Sequence, residues 1–201
     1  MFGGTFDPIH LAHIAVTGCA AERIHAEKVI FIPARRSPLK SFFPKASDED
    51  RLNMIVLAIA GQSNFEVSDH EIRKKGPSFT LETVRKFRDD YGGAAEVYWL
   101  AGADVVDELD RWYGILDLID ECNLAIMYRA GCARPDFSKY EESWGRHRVE
   151  KMRRNIIETP LVDISSTEIR RRLASGEEAT DMLETLHPEV AAYIKAHGLY
   201  R

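Results

Sequence analysis

The chain has 201 residues, enough for one domain with its own core, and 45% hydrophobic with 29% charged residues is a globular balance that excludes a disordered polypeptide. A formal net charge of -5 excludes a general electrostatic attraction for a nucleic-acid polymer, and no apolar run is long enough to span a bilayer, so neither partner is expected. Cys19, Cys122 and Cys132 are widely spaced with no Cys-x-x-Cys pair, which points to a reducing cytoplasm and away from a disulfide or zinc framework.

In chain order, the patterns predict a helix near Pro8–Arg23, a strand over Val29–Pro33 and a helix over Asp48–Ala60 whose start carries the Ser47/Asp50 pair of a cap. A strand over Phe65–Ser68, a helix over Leu81–Tyr91 and strands over Val97–Gly102 and Leu124–Tyr128 follow. The last third reads as a helix over Tyr140–Asn155, a strand over Val162–Ile164, and helices over Thr167–Ala174 and Pro188–Ala196. Short β-rich runs alternating with helical patterns predict an α/β fold, an open, mostly parallel sheet with helices on both faces. Of the long loops, Arg35–Lys45 is open between a cover for a site and a plain connector, and Gly131–Ser138 reads as a connector.

The stretch GGTFDPIHLAH (residues 3–13) carries the first chemical signal. Gly3 and Gly4 permit a tight turn free of side chains, and Asp7 followed by Pro8 reads as an N-cap with proline at the first helical position. His10 then falls on the third helical position and His13 three residues on, both imidazoles on one face near the positive end of the helix. With Gly3, Gly4, Thr5 and Phe6 this makes a site for a polyphosphate, held by backbone N–H groups and two imidazole donors. Two histidines one turn apart also suit zinc, but no nearby side chain completes a metal set, and no metal site is assigned.

The second signal is VDISSTEIR (residues 162–170), a strand running into a helix. Ser165 and Glu168 read as a capping box, while Ser166, Thr167 and the first-turn N–H groups can hold phosphate oxygens, with Arg170 as a cation at the same end. Two donor-rich helix starts, each after a strand, suit a nucleotide gripped at the carboxyl ends of a parallel sheet.

These two motifs, with KKGPSFTLETV, LAGADVVDEL, the Arg111-Trp112-Tyr113 run and YIKAHGLY between and after them in the same order, resemble the bacterial nicotinate mononucleotide adenylyltransferases over almost the whole chain. The resemblance implies a Rossmann-like nucleotidyltransferase fold filling residues 1–201 as a single domain, residues 160–201 being a C-terminal helical portion with the second phosphate motif. It implies transfer of AMP from ATP, with Mg²⁺, to nicotinate mononucleotide, giving deamido-NAD and pyrophosphate. By the same likeness His10, His13, Lys40 and Arg170 act on the phosphates, and Gly102 and Asp104 hold the adenosine ribose. Thr80 and Tyr113 offer N–H groups to the nicotinate carboxylate, and Trp112 stacks on the ring.

Three departures from the family pattern stand out: Ala12 where Gly is usual, Leu39 where His precedes the lysine, and only Met1 and Phe2 ahead of Gly3. The first strand therefore reads as truncated, leaving a gap in the middle of the sheet, and a start upstream of Met1 is expected. Nicotinamide mononucleotide and phosphopantetheine are rival acceptors, the second disfavoured by the Ser-Phe-Thr and Trp-Tyr elements. A non-catalytic nucleotide-binding domain is the rival of another class, and a homo-oligomer remains open.

Overall fold

A sheet buried on both faces needs strands that are apolar on both sides, and runs such as VIFIP and NLAIMYR meet that requirement. The computed structural model describes residues 1–36, 38–39, 43–93 and 95–201. Among them, strands β1 (Phe2–Gly4), β2 (Val29–Pro33), β3 (Phe65–Val67), β4 (Tyr98–Gly102), β5 (Asn123–Arg129) and β6 (Ile156–Thr159) form one sheet in the order β3-β2-β1-β4-β5-β6, every pair parallel. Strand order reverses between β1 and β4, so the switch point, where an open α/β sheet offers a crevice beyond its strand ends, lies at the end of β1.

Side chains alternate from these strands into two cores. Phe31, Ala125 and Met127 pack with residues of α1 (Leu11–Arg23), α2 (Asp48–Ile59), α8 (Ser166–Ala174) and α9 (Pro188–Ala196). Ile30, Ile32, Leu124 and Ile126 pack on the other face with α4 (Thr80–Asp90), α5 (Ile115–Glu121), α6 (Glu141–Trp144) and α7 (Arg146–Arg154). A short α3 (His70–Arg73) and a 3₁₀ helix over Ala103–Arg111 complete the elements near the strand ends.

The gap expected at the middle of the sheet is absent. Although β1 has three residues, it pairs on one side as Phe2↔Phe31, Gly3↔Ile32 and Gly4↔Pro33, and on the other as Phe2↔Leu100. The Met1 amino group donates to the Tyr98 carbonyl at 2.7 Å and the Leu100 N–H to the Met1 carbonyl at 2.8 Å, satisfying groups that the sheet would otherwise bury unpaired.

Two expected elements are corrected. Val162–Ile164 is not a strand; the sixth strand is Ile156–Thr159, and Pro160, which has no N–H to give a ladder, follows it directly. The helix expected over Tyr140–Asn155 is two helices, α6 and α7, broken at Gly145, whose φ of 83° lies outside the helical range.

The close approach at the start of the sheet explains Gly3. A Cβ built there would meet Trp99 Cζ2 at 2.3 Å, and Trp99 is itself buried in the second core. Gly3→Ala should therefore lower stability by about 1–3 kcal/mol in a denaturant titration, as overpacking of a filled core does; an unchanged midpoint would mean that Trp99 moves aside without cost.

Candidate active site

The loop that leaves β1 is fixed through its backbone carbonyls. Arg51, fully buried in α2, donates to the Thr5 carbonyl at 2.6 Å and to Asp48 Oδ1 at 2.6 Å. Arg170 of α8 donates to the Asp7 carbonyl at 2.6 Å, and Ser166 Oγ donates to the Pro8 carbonyl at 2.8 Å. The two helix starts singled out in the sequence thus meet directly, the second gripping the loop that precedes the first.

Asp7 does not cap α1, as the sequence reading expected. Its buried carboxylate accepts from the N–H of Lys45 at 2.8 Å and of Ala46 at 3.0 Å and from the Tyr200 hydroxyl at 2.9 Å, so these tertiary donors replace the helix N–H groups as its partners. The helix starts three residues later, with extended His10 at the N-cap position and Leu11 first, its N–H donating to the Thr185 carbonyl at 2.9 Å. His13 is accordingly the third helical residue. Ser165 gives only half of the expected capping box: its Oγ accepts from the Glu168 N–H at 3.2 Å, but the Glu168 carboxylate pairs with Arg171 at 2.6 Å.

The imidazoles of His10 and His13 stack with centroids 3.7 Å apart and planes 18° from parallel. The His10 N–H donates to His13 Nδ1 at 3.3 Å, which puts a ring proton of His13 on Nε2. Phe6, 2% exposed, supports His13 edge-on at 5.2 Å and holds a left-handed φ of 48°; its ring lies where a Cβ on Gly4 would sit, 2.9 Å from Phe6 Cζ. Phe6 thus packs against His13 and also lines the cleft.

Above these groups opens a cleft of about 930 Å³, at the upper end of the size of small-molecule sites. Gly3, Gly4, Thr5, Phe6, His10 and His13 line its floor, and Ser166, Thr167 and Arg170 one wall. Gly102 at the end of β4 and Asp104 in the 3₁₀ helix form the next section, where a Cβ on Gly102 would lie 2.4 Å from Asp104 Oδ1. Thr80 at the start of α4, Trp112 and Tyr113 line the far end. Trp112 Nε1 and Ser78 Oγ are buried there without a partner among the described residues, and Tyr113 is exposed with its ring 4.8 Å from that of Phe79. Lys40 lies outside the described residues, although Pro38 and Leu39 of its loop border the cleft. Ala12 is buried and also borders it.

The Gly131–Ser138 segment is more than a connector, because Cys132 and Ala133 line the cleft. The sequence reading also missed Arg129, the last residue of β5, which lines the cleft and pairs with Asp163 at 3.6 Å. Its signal is position: a cation directly after the strand expected over Leu124–Tyr128, at the carboxyl end where an open α/β sheet binds its ligands. The lining thus combines cations and imidazoles (Arg111, Arg129, Arg170, His10 and His13), which suit a polyanion, with aromatic rings such as Trp112 and Tyr113. Among the described residues no group of three or more His, Cys, Asp and Glu could hold a metal ion, and no helix is long and apolar enough to cross a membrane.

Known proteins match this chain along its length. A cytidylyltransferase-like family model matches residues 1–172. A Clostridium tetani protein named "Probable nicotinate-nucleotide adenylyltransferase" is 36% identical over 204 residues, covering 100% of this chain and 98% of its own. One of the same name from Moorella thermoacetica is 38% identical over 208 residues, covering 100% and 90%. The structure of Plasmodium falciparum nicotinic acid mononucleotide adenylyltransferase complexed with NaAD superposes with a TM-score of 0.69 at 18% identity, over 99% of this chain and 95% of that one, and shares its fold.

Burial, reinforced by the charge of Arg129, lowers the pKa of His10 from 6.5 to about 4. As pH falls through 6.5 the unfolded chain takes up a proton at His10 that the folded chain refuses until about pH 4, so stability is lost across that window, on the order of 3 kcal/mol in all. Urea midpoints at pH 7 and pH 4.5 should accordingly diverge more for the natural chain than for His10→Asn; equal divergence would remove His10 as the cause.

Proposed function

The chain belongs to the nicotinate-nucleotide adenylyltransferase family, and from that premise we propose that it joins the AMP part of ATP to nicotinate mononucleotide, releasing pyrophosphate, in NAD biosynthesis. The observation that carries the reading is the joining of the two helix starts under one cleft, Ser166 to the Pro8 carbonyl at 2.8 Å and Arg170 to the Asp7 carbonyl at 2.6 Å.

In this reading the triphosphate lies over the Gly3–Gly4 backbone, whose missing side chains leave room for the rings of Trp99 and Phe6. His13 donates from Nε2 and His10 stands beside it as a neutral ring, while Arg170, with guanidinium donors beyond those spent on Asp7 and Thr167, and Arg129 supply positive charge. Ser166 and Thr167 line the same stretch, and Lys40 completes it by family likeness. Mg²⁺ arrives as part of the ATP substrate, which suits a phosphate end built of cations and donors. Gly102 and Asp104 take the adenosine ribose, the Asp104 carboxylate accepting from its hydroxyls.

The acceptor's phosphate oxygen attacks the α-phosphorus of ATP; one P–O bond forms as the bond to the departing pyrophosphate breaks, with no covalent intermediate on the enzyme. The chain contributes alignment of two anions and charge at the crowded phosphorus. Thr80 is the first residue of α4, where first-turn N–H groups have no acceptor within the helix, and with the Tyr113 N–H they would favour a carboxylate over a carboxamide. Trp112 would stack on the pyridine ring. The cytoplasm is the assigned compartment, supported by three unpaired cysteines, and a nucleic-acid polymer is not assigned as a partner.

Incubation with ATP, Mg²⁺ and nicotinate mononucleotide should release pyrophosphate, and ATP binding without product would overturn the assignment. The acid should be preferred over nicotinamide mononucleotide in kcat/KM; a tenfold or larger preference for the amide would reverse the choice of substrate. His13→Ala should lower kcat by about a hundredfold if the imidazole serves the transition state, whereas a near-normal kcat would reduce His13 to packing.

A further inference from the structure

The cleft itself leaves one group of contacts without a role. The carboxylate of Asp7, 3% exposed, is met from behind by three donors, and one of them, the Tyr200 hydroxyl at 2.9 Å from Oδ1, comes from 193 residues away in the chain. Tyr200 is not among the residues that line the cleft. Its backbone holds a φ of 69°, a left-handed conformation that costs a tyrosine energy, two residues after Gly198 at 60°. That conformation sets its ring against the first core, and burial together with the Asp7 charge pushes the phenol pKa up, so the hydroxyl stays a donor.

We propose that Tyr200 is a positioning residue for adenylyl transfer, acting through the Asp7 carboxylate to hold the backbone that presents His10 and His13. The linkage is short. Asp7 Oδ1 shares Tyr200 and the Ala46 N–H, Oδ2 takes the Lys45 N–H, and Arg170 balances the charge with its NH1 3.9 Å from Oδ2 while donating to the Asp7 carbonyl. His10 follows three residues later and His13 begins the ring stack. Loss of the hydroxyl leaves a buried carboxylate oxygen with one donor fewer, and the loop can relieve that deficit only by moving. Displacement of positioning groups by an ångström is enough to slow a reaction that depends on alignment.

This inference rests on the adenylyl-transfer reading, and the test separates the two. Tyr200→Phe keeps the ring and removes only the hydroxyl; Tyr193→Phe is the comparator, because the Tyr193 hydroxyl donates to Asp50 at 2.9 Å and accepts from Asn53 at 3.1 Å, both in α2, and makes no bond to Asp7. Steady-state kinetics below both melting temperatures should show kcat down about tenfold in Tyr200→Phe, with KM for nicotinate mononucleotide within twofold, and near-normal kcat in Tyr193→Phe. Unchanged kcat in Tyr200→Phe, equal losses in the two variants, or a Tyr200→Phe chain that does not fold would each overturn the positioning role. No turnover by the natural chain would instead sink the adenylyl-transfer reading, and this inference with it.

Discussion

Backbone carbonyls are poor anchors for a loop unless something donates to them, and three of the four carbonyls of the Thr5–Pro8 segment are anchored in that way. Arg51 takes the carbonyl of Thr5, Arg170 that of Asp7 and Ser166 that of Pro8, each a side chain from a helix packed on the same face of the sheet. A loop held by its carbonyls cannot turn them toward the cleft, where they would repel a polyphosphate. Glycines can then serve as a floor and imidazoles as donors because the negative ends of the peptide dipoles are already spent elsewhere.

The same arrangement explains why the sheet order matters. β1 lies between β2 and β4 at the reversal of strand order, so the loop after it emerges into the crevice between two sets of helices. Arg170 comes from α8 and Arg129 from β5, while Gly102 ends β4 and Thr80 starts α4, and all four line the cleft. Residues far apart in the chain converge because parallel strands all end on one side.

Much of this was legible in the sequence where the signal is local. Pro188 starts α9, Ser47 caps α2 through the Asp50 N–H, and the VIFIP run is β2, because a cap, a proline or an unbroken apolar run acts within a few residues. The chemical motifs were legible too, since a glycine turn before paired histidines and a serine-threonine helix start are short patterns. What failed depended on distant partners. Asp7-Pro8 has the form of a helix start, but donors from Lys45, Ala46 and Tyr200 claim the carboxylate, and nothing adjacent announces them. Val162–Ile164 has the alternation of a strand, yet among the described residues no strand forms a ladder with it, whereas Ile156–Thr159 is claimed by β5 through Ile126↔Ile156 to Arg129↔Thr159. Arg129 and Cys132 became part of the cleft only through the fold.

The bond between Asp7 and Tyr200 spans 193 positions. Neither partner can find the other through a local turn, so the carboxylate gains this donor only when distant segments of the chain have come together. The full set of donors around Asp7 is therefore a product of the finished tertiary structure, and any change that loosens the packing of Tyr200 on the first core reaches the loop after β1 through this one bond.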